Sequence, residues 1–251
     1  MPPLWLLLVG CALLGAVMAG AALWWLGAIG AHLRMGRRLA GAHERPVSEV
    51  LDLTAPPARP VRVAGRIRCI DPLVALDGEQ LVVFHRDVEV RLPGGQWRTI
   101  ERLRETRSFE LWDHAGSLAV DPALAAEPLI SIPLVWEGRP DELEGPHAAA
   151  VARLVAEGRA PEAARAVTRT ISVVDRLLVL ARVATDIDGS ARLEPPEGGY
   201  LLCSIELEAA MRVLGGPRRR QLAAAIGLLA AGVAVAGASL VAAAIIRVAG
   251  A

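Results

Sequence analysis

The side chains that could do chemistry are present in this chain, but not in the combinations that chemistry requires. His85-Arg86-Asp87 has the residue order of a protein-kinase catalytic loop. There, the aspartate takes a hydroxyl proton and a downstream asparagine holds a metal. Here that asparagine, a DFG triplet and a glycine-rich loop are all missing, and the tripeptide lies in a strand-like alternation. Asp113-His114 beside Ser117 offers the residue types of a hydrolase, yet they crowd into a predicted hairpin turn and no GxSxG elbow exists. Asp186-Ile187-Asp188-Gly189 resembles the start of a calcium loop, but the acidic residue due at its twelfth position is out of register, so a turn is the expectation.

The five histidines, His32, His43, His85, His114 and His147, are dispersed. Cys11, Cys69 and Cys203 form no CxxC pair, which excludes a zinc ribbon or a RING and gives no disulfide framework. The expectation is no catalytic set, no cofactor site and no metal site. Trp97, Trp112, Trp136, Phe84 and Phe109 read as core packing, with an exposed recognition patch as the alternative.

What positions these residues is decided by the two ends of the chain. Leu4 to Ala31 and Gln221 to Ile246 carry no ionisable side chain apart from the thiol of Cys11. As helices each reaches about 40 Å, longer than a hydrocarbon core of about 30 Å, so both can span with tilt. The start, MPPLWLLLVG, lacks a basic n-region and stays apolar too long for a cleavable signal, so it reads as a retained anchor. Leu8-Val9-Gly10-Cys11 has the form of a lipobox, but its surroundings do not. Small residues at Ala16 and Gly20, and at Gly227 and Ala231, have the spacing that lets helices approach closely.

Formal neutrality hides a polarised charge distribution. All 27 acidic residues fall between Glu44 and Glu208, together with 19 of the 27 arginines, so the central part is near −8 and the membrane flanks are basic. A nucleic-acid partner is not expected of so acidic a domain. There is no lysine, which removes side-chain amine chemistry and, with the Ala, Arg, Gly and Pro bias, points to a GC-rich bacterial genome. Arg34, Arg37 and Arg38 follow the first span and Arg212, Arg218, Arg219 and Arg220 precede the second, against Arg247 alone beyond it. The positive-inside rule then places the central domain in the cytoplasm, with anionic lipid headgroups as partners of the two arginine collars.

The expected division is an N-terminal span over 1–33, a basic collar and Pro/Ala-rich linker over 34–60, a soluble domain over 61–215, and a collar with the second span over 216–251. Val61, Val63, Gly65, Ile67 and Cys69 alternate with arginines as a half-buried strand does. Strands are expected at 73–76 and 81–92, from Trp97 to Arg107, as a hairpin from Phe109 to Asp121, and once or twice between Ile171 and Ala184. A helix is expected from Pro146 to Arg159, with an extension through Pro161 to Val167, and another from Ile205 to Leu214, N-capped by Ser204 and closed by Gly215-Gly216. The fold class is α+β: a β-rich soluble domain with one or two helices, flanked by N- and C-terminal transmembrane helices.

This order, a span, the strand VRVAGRIRC, FELWDHAGSLAVDP, then RVATDIDGSARLEPPEGGYLLCS and a helix leading into a second span, resembles the GIDE (beside-a-membrane) domain family of the mitochondrial ubiquitin ligase MULAN. The resemblance runs from Val61 to about Val248, and Gly189, Leu193, Pro195, Pro196, Gly198 and Tyr200 are its most specific part. It implies a two-span protein whose central domain binds or scaffolds something next to the bilayer. It also implies a ubiquitin-ligase label that these residues contradict, because no RING ligand pairs are present. The alternatives are an enzyme, either a RING-less relative that takes part in protein modification or a small hydrolase using a histidine that the fold brings near Cys69 or Cys203, and a subunit of a membrane complex.

Overall fold

In a computed structural model the chain is a mixed helix and sheet protein, with a sheet-rich central part and one long apolar helix at each end. The structure describes residues 4–75, 77–186, 189–215 and 218–249. Expectations that rest on Leu76, Ile187, Asp188 and Gly216, or on the side chains of His32, Arg218, Arg219, Arg220 and Arg247, lie outside the described residues. The chain divides into two compact units, 1–40 with 211–251, and 41–210.

The first unit is built on α1 (Leu4–Gly41) and α5 (Arg218–Ala249). Leu7–Gly27 in α1 and Gln221–Ile245 in α5 are long and apolar enough to cross a membrane. Most of their large side chains, Leu13, Leu14, Val17, Leu23, Ile226, Val233, Leu240 and Val241 among them, are exposed, which water would penalise and lipid would not. Contact between the two helices comes through small residues, at different positions from those the spacing predicts. Gly20 and Gly227 have open space around them. A Cβ at Gly15 would instead meet the Gly232 carbonyl oxygen at 2.6 Å and the Ala236 nitrogen at 2.7 Å, and one at Gly232 would meet the Ala19 nitrogen and Gly15 oxygen at 2.8 Å.

The backbones therefore touch there with no side chain between them. Ala22 and Ala225, seven residues along from this contact on each helix in opposite senses, are both fully buried, as an antiparallel pair requires. The buried hydroxyl of Ser239 donates back to the Val235 carbonyl at 2.8 Å and so presents no unmet polar group.

The second unit begins earlier than the sequence predicts. Residues 44–60 are not merely a linker: β1 (Glu44–Pro46) and α2 (Val47–Leu51) belong to the domain. β1 pairs in parallel with β2 (Val61–Arg68), and Val47 and Val50 of α2 are fully buried in the core. The helix lies close over β2 at Gly65, where an added Cβ would come within 3.1 Å of Val47 and 3.3 Å of Leu111 and the Trp112 carbonyl.

β3 (Leu73–Val74), β4 (Gln80–Arg91), β5 (Trp97–Thr106), β6 (Phe109–Asp113) and β7 (Gly116–Val120) follow the predicted strands and turns. β8 (Leu134–Gly138) was not expected. α3 (Gly145–Ala156) stops short of the extension to Val167, because β9 (Ala163–Ser172) takes that segment. Its Ala164 and Ala166 are needed as small buried residues opposite Val90 and Val88. β10 (Arg176–Thr185), β11 (Ala191–Glu194), β12 (Leu201–Cys203) and α4 (Leu207–Gly215) complete the order.

One sheet runs β11-β10-β2-β6-β7, with β1 also on β2 and β12 also on β10. The other runs β4-β9-β8, with β3 and β5 on the free side of β4. The main core joins the two through Val82, Val83 and Ile171 with Val63, Leu111 and Val179, while α3 covers the far half of the second sheet through Leu154 on Val88 and Val90.

Cysteines introduced as Ala22→Cys and Ala225→Cys, in a chain with Cys11, Cys69 and Cys203 replaced by serine, should form a disulfide in the membrane. Adding Gly232→Leu should abolish it, whereas adding Gly20→Leu should leave it intact. A disulfide that survives Gly232→Leu would contradict the backbone contact.

Candidate functional site

Most of the described residues singled out in the sequence of the central unit are occupied structurally. His85 and Asp87 point to one face of β4, with Arg86 between them on the other. Arg104 of β5, opposite His85, is the centre of that first face. Its Nε donates to Glu127 at 2.7 Å, its Nη2 to both Asp87 oxygens at 2.9 and 3.0 Å, and its Nη1 to the Leu103 and Arg86 carbonyls at 2.8 and 3.3 Å. A guanidinium with every arm engaged holds the 121–133 loop on the sheet and has nothing left for a ligand. Hydrogen bonding from Arg104 holds the Glu127 carboxyl below its usual range. Burial, with the nearby Arg104 charge, pushes His85 down to about 4, so the imidazole is neutral near pH 7.

The Asp113-His114 turn between β6 and β7 forms as expected, but the carboxylate is not part of a triad. It accepts the backbone N–H of Ser48 at 2.8 Å and of Ala115 at 2.9 Å, fastening the first turn of α2 to the hairpin. Burial opposes ionisation there, and these hydrogen bonds overcome it to hold the carboxyl below its usual value. The turn after β10 forms around Gly189, whose N–H donates to the Asp186 carbonyl at 3.0 Å. His147 on α3 meets Glu101 of β5 at 2.7 Å. Cys203 is buried, which pushes its thiol pKa up, and Cys69 donates to the Ser108 carbonyl at 3.5 Å. Among the described residues no three His, Cys, Asp or Glu side chains converge as a metal would need. Of the aromatic residues, Phe109 is core, Trp97 lies under Arg165 at 4.2 Å, and Trp136 stands on the exposed edge strand β8.

The late segment behind the family resemblance is also structural. Gly199 turns with φ +93°, so close to Leu124 that a Cβ would lie 2.6 Å from its carbonyl oxygen. This places Tyr200 to donate through its hydroxyl to the Leu193 carbonyl at 2.9 Å, and burial pushes that hydroxyl up to about 12.

What remains is a groove that the sequence did not announce. It has a volume of about 950 Å³ and lies across β10, β2 and β6, lined by Pro46 and Ser48, by Arg66 and Arg176, and by Trp112, Asp113, His114 and Val174. The antiparallel register sets Arg176 directly opposite Arg66, and Arg66 directly opposite Trp112. Directly opposed residues of antiparallel strands have Cα atoms about 4.5–5.5 Å apart, and like charges there repel. Both guanidinium groups are exposed, and among the described residues neither has an ion pair or hydrogen bond. The one carboxylate on the wall, Asp113, is turned to its two N–H donors.

Trp112 is fixed as the floor by an indole N–H donated to the Ile67 carbonyl at 3.3 Å and by Arg68, 4.9 Å from its ring centre. By contrast, Arg98 and Arg153 share their cleft with Glu157. The alternating pattern of β2 marks Arg66 as solvent-facing, but nothing in one sequence pairs it with Arg176.

No family model, curated protein or solved structure matches this chain.

The folded value of His85 lies below its ordinary 6.5, so the unfolded chain binds more protons between pH 6.5 and 4. Stability should be full above pH 6.5 and fall as the pH drops towards 4, by up to about 2 kcal/mol once screening is allowed for. Denaturant unfolding of the wild type against His85→Gln at pH 7 and 5 checks this. The substitution should flatten the profile in that window, which lies above the ordinary 4.5 of Glu127, and an unchanged slope would refute the assignment.

Proposed function

We propose that this chain is a two-span bacterial membrane protein of the GIDE type, whose sheet domain works as a non-catalytic binding or scaffolding module beside the bilayer on the cytoplasmic side. The observation that carries the reading is one of layout. Two mutually packed apolar helices of membrane length flank a sheet-rich domain in which His85, Asp87, Asp113, His147 and Cys203 are held in structural contacts, while its open groove keeps two arginines free. Family identity rests on the resemblance of the VRVAGRIRC strand and the Gly189 to Tyr200 segment. The cytoplasmic side rests on the arginine collars, of which Arg37, Arg38 and Arg212 are exposed. A module of this kind acts by holding a partner at the membrane, so its function is defined by what occupies the groove and not by a bond that it breaks.

The test is photo-crosslinking in native membranes from a benzophenone side chain at Val174, an 88% exposed residue on the groove wall, against one at Val155 on α3, 51% exposed. A discrete adduct from position 174 only is expected. In sealed vesicles, a cysteine at Ile70, 99% exposed, should react with an impermeant thiol reagent only when the cytoplasmic face is outward. No adduct from either position would contradict the binding role, and labelling from the outer face would contradict the sidedness.

A further inference from the structure

We infer that the Arg66–Arg176 groove binds a phosphate monoester carried on an organic body. This deepens the proposal that the domain is a binding module, and it names the ligand's chemistry. Two guanidinium groups forced opposite each other by the β2–β10 register repel across one strand spacing, and no described carboxylate relieves them. Between them is a place for a polyoxygen anion, because each guanidinium is a planar fork of donors that fits adjacent anionic oxygens.

A carboxylate brings one charge, whereas a phosphate monoester brings about −1.5 to −2 near pH 7 and three terminal oxygens, enough to bridge both forks. The surrounding domain is net acidic, so a local cationic groove concentrates such an ion where the rest of the surface repels it.

The groove is also far larger than one phosphate. Its volume of about 950 Å³ and its Trp112, Pro46, Val173 and Val174 wall leave room for an apolar or planar group beside the anion. Asp113 stays on the wall with its oxygens on Ser48 and Ala115, so it limits the charge the groove accepts without capping either arginine. Arg68, which is not among the groove's lining residues, sits 3.9 Å from Glu110 and over the Trp112 ring, which leaves Arg66 and Arg176 as the anion contacts. The same phosphate chemistry arises from a soluble phosphomonoester or from a phosphomonoester lipid headgroup.

The experiment uses the full chain in phosphatidylcholine nanodiscs, with thermal unfolding followed as phenyl phosphate is added at constant ionic strength. The expected result is a saturable rise in the midpoint. Arg66→Gln and Arg176→Gln should each weaken the apparent affinity by about tenfold or more, as loss of a charge-assisted contact predicts, while Arg182→Gln, an exposed arginine farther along β10, should not. Without ligand, both groove variants should melt no lower than the wild type, since each removes one of two opposed like charges. In nanodiscs containing phosphatidic acid the midpoint should already be raised, with no further effect of phenyl phosphate, if a headgroup is the natural source. An unchanged midpoint there, with the full phenyl phosphate response, assigns the site to a soluble ligand.

The proposal is overturned by no saturable shift with either source, by a shift that survives both groove substitutions, by phenylacetate acting as well as phenyl phosphate, or by ligand-free destabilisation of both variants. If it fails while crosslinking from Val174 still yields its adduct, only the ligand class is wrong; failure of both removes the binding module itself.

Discussion

The contact on which the anchor depends is the meeting of two peptide backbones at Gly15 and Gly232. In hydrocarbon the burial of apolar side chains gives helices no reason to associate, because lipid tails are as apolar as leucine. What remains is close van der Waals contact, and it grows as the helix axes approach. Glycine on both helices at the crossing removes the side chains that would hold the backbones apart, and Ala22 and Ala225, both small and fully buried, lie further along the pair. The large residues are left on the outside, as suits helices that are long and apolar enough to cross a membrane.

The central domain distributes its arginines by a different logic. Arg104 is used up by two carboxylates and two carbonyls and ties a long loop to the second sheet. Arg165 spans Glu89 at 2.6 Å and the face of Trp97. Those guanidinium groups are building material. Arg66 and Arg176 are not: the sheet places them together and gives them nothing to hold. Because like charges are ordinarily kept apart across a strand pair, this juxtaposition is one place where the domain departs from what its own stability would favour.

The parts of this fold legible in the sequence are those governed by local rules. β2 and β4 to β7 announce themselves through two-residue alternation and through turns at Asp77-Gly78 and Pro93-Gly94-Gly95, and the apolar ends through length and absence of charge. α2 was missed because it is five residues long in a Pro/Ala-rich stretch, and only the burial of Val47 and Val50 against strands beyond it makes it helical. The Ala-rich run after Pro161 reads as helix by propensity. Its small residues are instead needed under α3, so tertiary packing wins. The groove was illegible for a related reason. It is created by pairing β2 with β10, whose sequence separation no periodicity encodes, and of the histidines and cysteines that catch the eye first only His114 is among its lining residues.

Insertion of the two apolar helices into hydrocarbon is the central claim, and the exposed leucines and valines of the pair support it. The most direct measurement is alkaline carbonate extraction of vesicles carrying the full chain, followed by sedimentation. Retention of the intact polypeptide in the membrane pellet is the predicted result. Its release into the supernatant as a folded, soluble chain would contradict the account.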